Sequence, residues 1–341
     1  MGGDRKAPHI KEGLNAMITL KDIAAECRVS ISTVSRALNG NELIRPELAA
    51  SIRETAVRMG YQPNEAARSL KLNRSWMIGI LHDEAVDHPF FSGMLEALRI
   101  SAEKRGCDTV LLSRRQRNNS SDSSDLALSR RVDGIIVVYA DVADDGLDRL
   151  MKNQIPVVSV DDCNRPCPII ASDYENGTRL LTEEAVRRGH RRIAFVHGEQ
   201  GISTSRRIAG YRAAMNAHGL PEELIPSTFN SGERCSGLVL TRLRQPDPPS
   251  CFLLPDDTSA LYTMNALRHE GLSVPGDVAV AGFDGQRWAR ALFPALSTFR
   301  QNLEQIGEAA LDKLLLSREN GIDRSRSEII IPGVLISGET L

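Results

Sequence analysis

The sequence predicts an α/β protein in two unequal parts: a small head of three short helices, then a larger core of two lobes built on parallel sheets. Three observations predict it. Apolar residues recur at helical spacing between Thr19 and Tyr61, interrupted twice by turn and capping residues. From Trp76 onward, short β-rich runs alternate with amphipathic stretches, the pattern of strand–helix–strand units. The 341 residues, 41% hydrophobic, are about twice the usual size of one domain, so more than one folding unit is required.

The head comes first. Thr19 followed by Asp22 is a helix-capping arrangement, and Leu20, Ile23 and Ala24 then share one face. This first helix ends near Cys27-Arg28-Val29, where a tight turn is needed, and Ser30 can cap a second helix containing Thr33, Val34, Ala37 and Leu38. With Val34, Ala37 and Leu38 inward, Ile31, Ser32, Ser35 and Arg36 fall near the start or outer side, on a helix short enough to enter a DNA major groove. Pro46 suits the first turn of a third helix, whose apolar stripe is Leu48, Ile52, Ala56 and Met59 and whose end is Gly60.

In the core, strands are expected at Met77 to Leu81, Thr109 to Leu112, Gly134 to Tyr139 and Pro156 to Val160, with helices between them. Gln116 to Asp125 is polar and reads as a surface connection before a helix ending at Arg130-Arg131. A second alternation runs through a helix at Gly177 to Arg188, Ile193 to His197, a helix at Gly210 to His218, Cys251 to Leu254, a helix at Ser259 to Glu270, and Val278 to Phe283.

Composition narrows the function classes. The longest apolar stretches, 134–140 and 155–160, fall far short of the ~20 residues a bilayer span needs, so no membrane partner is expected. Residues 1–16 carry Asp4, Arg5, Lys6, Lys11 and Glu12 with no apolar segment, unlike a secretory signal, and a cytoplasmic location is expected. The six cysteines are scattered and read as reduced thiols; Cys163 and Cys167, in a loop marked by Pro166 and Pro168, have no second ligand pair, so no metal is expected. Net charge is −2, but it is divided: residues 17–74 hold nine basic and six acidic side chains, and residues 75–341 hold 30 basic and 36 acidic. A cationic head precedes an anionic body.

The run TLKDIAAECRVSISTVSRALN, from Thr19 to Asn39, followed by GYQPNEAARSL, resembles the headpiece of the lactose-repressor/galactose-repressor family of bacterial transcription regulators. The resemblance implies a helix-turn-helix. It also implies that Ile31, Ser32 and Arg36 face bases while Thr19, Ser30, Thr33, Ser35 and Asn39 contact phosphates. The division makes chemical sense, because small hydroxyls and helix N-terminal amides fix register and a guanidinium fork can engage guanine. Ile31 could read a thymine methyl, or could simply pack inside the head. Arg28 stands where the family usually has Gly, at a cost of ~1 kcal/mol if that backbone is left-handed. Arg45 replaces the usual Ser cap of the third helix. Asn64 to Leu70 resembles the family hinge, a helix formed on DNA binding, in which Ala67 lets two hinge helices meet and Leu70 is the minor-groove wedge.

The core motifs PFFSGMLEAL, RVDGIIV, IPVVSVD, RGHRRIAFVHG, RRIAGYRAAM, VPGDVAVAGFDG and LSTFRQNLEQIG resemble the same family's two-lobed periplasmic-binding-protein-like core. That implies a tail at 1–16, a head at 17–62, a hinge at 63–75 and a core at 76–341, whose first lobe takes 76–171 and 300–326 and whose second takes 172–299 and 327–341. It implies an effector between the lobes, near strand C-terminal ends. By motif position Phe91, Asp161, Arg207, Asp256 and Asp284 are the candidate contacts. Carboxylates and a guanidinium can bind several hydroxyls, and Phe91 could cover an apolar sugar face, so a neutral saccharide fits best. Arg206 is an adjacent alternative to Arg207. The family often has Asn at the place of Asp256, and the second Asp of its GFDD is Gly285 here. His190 reads as structural.

The expectation is a DNA-binding repressor acting as a homodimer on palindromic double-stranded operator DNA, with affinity controlled by the effector. No catalytic residue, cofactor or enzyme activity is expected. One rival is a sugar-binding protein without DNA regulation, which has no use for Thr19 to Leu70; the other is a glycosidase with paired carboxylates, for which no nucleophile motif is present.

Overall fold

Local capping explains the head. A computed structural model of the chain describes residues 18–38, 40, 43–61, 74–82, 89–113, 123–138, 145–161 and 166–341. Residues 1–74 and 75–341 form two separate compact units. In the first, α1 (Leu20–Cys27), α2 (Ile31–Leu38) and α3 (Pro46–Arg58) enclose a small core of Ile23, Val34, Ala37, Ile52 and Ala56. Leu48 and Met59, assigned to the stripe of the third helix, are half-buried, and Ala49 and Thr55 are buried beside Ile52. Gly60 ends α3 at φ 72°, a left-handed position that costs glycine nothing.

The second unit contains two six-stranded sheets. The first is ordered β11-β5-β4-β3-β1-β2 and is parallel throughout, from β1 (Met77–His82), β2 (Asp108–Ser113), β3 (Gly134–Val138), β4 (Val157–Val160), β5 (Ile169–Ser172) and β11 (Glu328–Ile331). It carries α4 (Pro89–Glu103), α5 (Ser123–Arg130), α6 (Asp145–Lys152) and α11 (Leu303–Asn320). The continuous burial of β3 and β4 is what a parallel sheet covered on both faces demands.

The second sheet is ordered β12-β10-β9-β8-β6-β7, from β6 (Ile193–His197), β7 (Leu224–Pro226), β8 (Cys251–Leu253), β9 (Ala279–Asp284), β10 (Ser297–Arg300) and β12 (Val334–Ile336). Only β12 runs antiparallel, against β10. Its helices are α7 (Tyr174–Arg187), α8 (Ile202–Ala217), α9 (Gly232–Leu243) and α10 (Asp257–His269). Gly210 lets α8 close on α7, since a Cβ there would lie 1.9 Å from the Glu175 carbonyl oxygen.

The chain passes between the sheets after β5, after β10 and between β11 and β12. The expectation that 327–341 belongs to the second lobe is corrected for 328–331, because β11 pairs in parallel with β5. Two further corrections are local. Ser123–Asp125, read as connection, open α5, and the helix expected from Gly210 begins at Ile202 because its first turn is polar but still helical. Residues 116–122 and 139 lie outside the described residues.

Candidate functional site

On the head, the candidate site is the N-terminal half of α2 and the turn before it. The Asp22 carboxylate accepts from the Thr19 backbone N–H at 2.8 Å and its hydroxyl at 2.7 Å, and these bonds hold it below its usual pKa. Arg28 makes the turn at φ 53°, ψ 41°, with the Val29 N–H reaching back to Ala24 O at 3.0 Å. The left-handed backbone that the family meets with Gly is therefore present here with a Cβ. Ser30 Oγ accepts from the Thr33 N–H at 3.1 Å and lies 2.7 and 2.8 Å from the Ser32 and Thr33 hydroxyls.

This capping turns Val34 and Ala37 inward and leaves Ile31, Ser32 and Arg36 exposed, with Thr33 and Ser35 half-buried. Ile31 is 49% exposed, so it does not pack inside the head. Arg45 precedes α3 without a side-chain capping bond. Asn39, Ala67 and Leu70 lie outside the described residues.

In the core, Asp161, Asp256 and Asp284 stand at or just past the carboxyl ends of strands. Arg207 on α8 is 5% exposed and is caged by rings, with its guanidinium carbon 3.8 Å from the Phe283 centroid, 4.8 Å from Tyr174 and 5.3 Å from Phe229. Such stacking holds a desolvated cation without consuming its N–H groups. Gly198 makes room for Phe229, because a Cβ there would meet the ring at 2.3 Å. Arg207 Nη1 donates to Pro255 O at 2.6 Å, Nη2 lies 3.9 Å from Asp284 Oδ1, and Nε is buried without a partner.

Asp284 ends β9 at φ 108° and accepts from Gln301 Nε2 at 2.7 Å; Gln301 Oε1 is likewise buried and unpartnered. Burial pushes the Asp284 carboxyl well above the ordinary range, partly opposed by Arg207. Beneath it Asp257, pushed up to about 7 by burial, accepts from the Thr298 hydroxyl at 2.5 Å and the Gln286 N–H at 2.7 Å. Gly285 cannot be the second Asp of the family motif here, because its φ is 69° and a Cβ would lie 2.2 Å from Arg300 Cβ.

A cavity of about 320 Å³ opens beside this cluster, bounded by Asp161, Tyr174, Ser203, Arg206, Arg326 and Glu328 together with apolar residues. Tyr174 divides the two: its ring faces Arg207 and its hydroxyl donates to Asp161 Oδ1 at 2.6 Å. Arg206, adjacent to Arg207, turns the other way to pair with Glu328 at 2.6 and 2.8 Å, joining α8 of one lobe to β11 of the other.

The five sequence candidates thus separate. Asp161 lines the cavity, and Arg207 and Asp284 form the buried cluster. Asp256 is the cap of α10, accepting from Ser259 N at 2.7 Å, Ser259 Oγ at 3.1 Å and Asn230 N at 2.8 Å. Phe91 is corrected: it is wholly buried in the first-lobe core, its ring 4.8 Å from His82, because the first turn of α4 packs beneath the end of β1. Sequence reasoning missed Tyr174 and Gln301, which stand at two of the places where the chain changes lobe. His190 bonds Ser250 Oγ at 2.9 Å and is held below its usual pKa by burial.

Comparison with known proteins agrees with both units. The family model described as bacterial regulatory proteins, lacI family, matches residues 19–64, and that of a periplasmic binding protein-like domain matches residues 182–341. The chain is 30% identical over 316 residues to the probable HTH-type transcriptional repressor ExuR of Bacillus subtilis (strain 168), covering 88% of this chain and 91% of that protein. It is 30% identical over 311 residues to the ribose operon repressor of Escherichia coli (strain K12), covering 88% and 92%. The fold matches the lac repressor dimer bound to operator and the anti-inducer ONPF with a TM-score of 0.80 at 24% identity, covering 95% and 99%. The chain therefore belongs to the lacI family of bacterial regulatory proteins, whose head reads DNA and whose core is the periplasmic-binding-protein-like unit described above.

Proposed function

We propose that this transcription regulator is a repressor that binds an inverted-repeat operator as a homodimer in the cytoplasm and that a neutral saccharide between its core lobes sets its affinity for DNA. The buried cluster of Arg207, Asp284 and Gln301 carries the reading. It presents a buried unpartnered donor and a buried unpartnered acceptor beside a carboxyl whose pKa burial raises, a set suited to uncharged hydroxyls. Relatives named for a ribose operon, and a lacI-family regulator of Enterococcus faecium solved with bound ribose, support the ligand class.

On the head, Ile31, Ser32 and Arg36 read bases, while Thr19, Ser30, Thr33 and Ser35 fix register on phosphates. Asn39, Ala67 and Leu70 complete this assignment from the sequence alone. The effector acts only by binding two conformations of the core unequally. The test has two arms. Selection from a random duplex library on the full-length protein should enrich an inverted repeat, and thermal-shift screening against neutral sugars, hexuronates and purines should single out a neutral sugar that also changes binding to that repeat. Enrichment of no repeat sinks the regulator reading; stabilisation only by a hexuronate or purine sinks the saccharide.

A further inference from the structure

We propose that α11 carries the state of the cleft to the point where the head is tethered, with Asp133 positioning that tether at the far end. The inference rests on the regulator reading and concerns how the same cleft acts.

The near end of α11 is part of the site. Gln301, 4% exposed, precedes the α11 cap Asn302 and is bound to Asp284 twice: through its side chain at 2.7 Å, and through its backbone N–H to the Asp284 carbonyl at 3.3 Å. A ligand hydroxyl that takes Asp284 Oδ1 competes with Gln301 for the same lone pairs.

The helix then runs 18 residues, roughly 27 Å, through the first lobe. Ile306, Ala310, Leu311 and Leu314 are buried in that lobe's core. Close packing leaves no play. A Cβ at Gly307 would lie 3.0 Å from the Ala97 carbonyl oxygen of α4, and one at Gly134 would lie 2.8 Å from Leu314. A close-packed helix moves as a body, so displacement at one end appears at the other.

At the far end, Arg318 in the last turn of α11 holds Asp133, immediately before Gly134. Its Nη1 is 3.1 Å from Asp133 Oδ1 and donates to the Asp133 carbonyl at 3.1 Å. Asp133 is 4% exposed, and its two carboxylate oxygens accept from the backbone N–H groups of Ser75 at 3.0 Å and Trp76 at 2.8 Å. Ser75 is the first residue of the core unit, so the segment from the head is attached here. Trp76 has φ 55°, a conformation that a tryptophan keeps only where its surroundings impose it.

A contiguous chain of contacts is not coupling until a cycle measures it. The test is hydrogen exchange of the Ser75 and Trp76 amides in the full-length protein, as wild type, Gln301→Ala, Arg318→Met and the double variant. Gln301→Ala should speed exchange at Ser75 and Trp76 by at least about fivefold in the wild-type background and add little where Arg318 is already Met. Arg318→Lys, which keeps the charge, should restore part of the dependence. Unchanged Ser75 and Trp76 exchange alongside faster exchange at Gln286, or additive effects of the two substitutions, overturns the proposal. The amide of Phe252, deep in the second lobe, reports on folding; should Gln301→Ala lower its protection, Gln301→Asn gives the same reading with a smaller perturbation. The cycle needs no DNA, so failure of the regulator reading shows in the library selection and failure of the relay shows here.

Discussion

Replacing Arg28 by Gly should stabilise the head and weaken its hold on DNA. The residue sits at φ 53°, ψ 41° between α1 and α2, where an L side chain costs about 1–2 kcal/mol and glycine costs nothing. Against that gain, glycine raises the entropy of the unfolded chain by about 0.4–1 kcal/mol. The net stabilisation is about 0.5–1 kcal/mol. Amide exchange at Ile23 and Val34, both buried in the head, should slow by roughly two- to fivefold, since a tenfold change corresponds to about 1.4 kcal/mol. On DNA the sign reverses. Arg28 is exposed, and if it lies on a phosphate its loss reduces the slope of log K against log salt by about 0.9. Faster amide exchange in Arg28→Gly would refute the strain argument; an unchanged salt slope would remove Arg28 from the phosphate contacts.

Three other outcomes are expected. Arg36→Ala should relax selectivity at one base pair of the selected repeat by about 1–3 kcal/mol, read by competition with single-base variants, while leaving the other positions unchanged. Tyr211→Phe strips the partner from the Glu223 N–H, which donates to its hydroxyl at 2.8 Å, and from Ile193 O, which accepts at 2.7 Å, so it should cost about 1–3 kcal/mol in denaturant unfolding of the core. Asp257 is raised to about 7 when folded from 3.8 when unfolded, so the native state holds its proton where the unfolded chain has lost it. The stability that this proton contributes is therefore lost as pH rises from about 4 through about 7. Asp257→Asn should flatten that fall in melting temperature, and a parallel pair of pH profiles would show that the carboxyl does not titrate there.

The head was legible because its determinants are local. Thr19 with Asp22, and Ser30 with Thr33, lie within one turn of each other, so their bonds can be anticipated from spacing alone. Asp161 and Asp284 could be named because the segments IPVVSVD and VAGFDG resemble family motifs that line the cleft, and the structure puts both residues at strand ends. Phe91 was misread because an aromatic residue at a strand-to-helix junction serves core and cleft equally well, and only packing against β1 decides.

By itself the sequence determined the order of elements, the short capped helices of the head and the alternation of the core, all encoded in neighbours a few residues apart. The tertiary structure alone decided which lobe each late strand joins, since β11 finds β5 across more than half the sheet-forming chain. It also decided how two adjacent arginines divide their work. One residue along a helix is a turn of about 100°, enough to send Arg207 into a cage of rings and Arg206 across to Glu328. Partners so distant in sequence leave no trace in local spacing, because their pairing is settled only when the sheets and helices have packed.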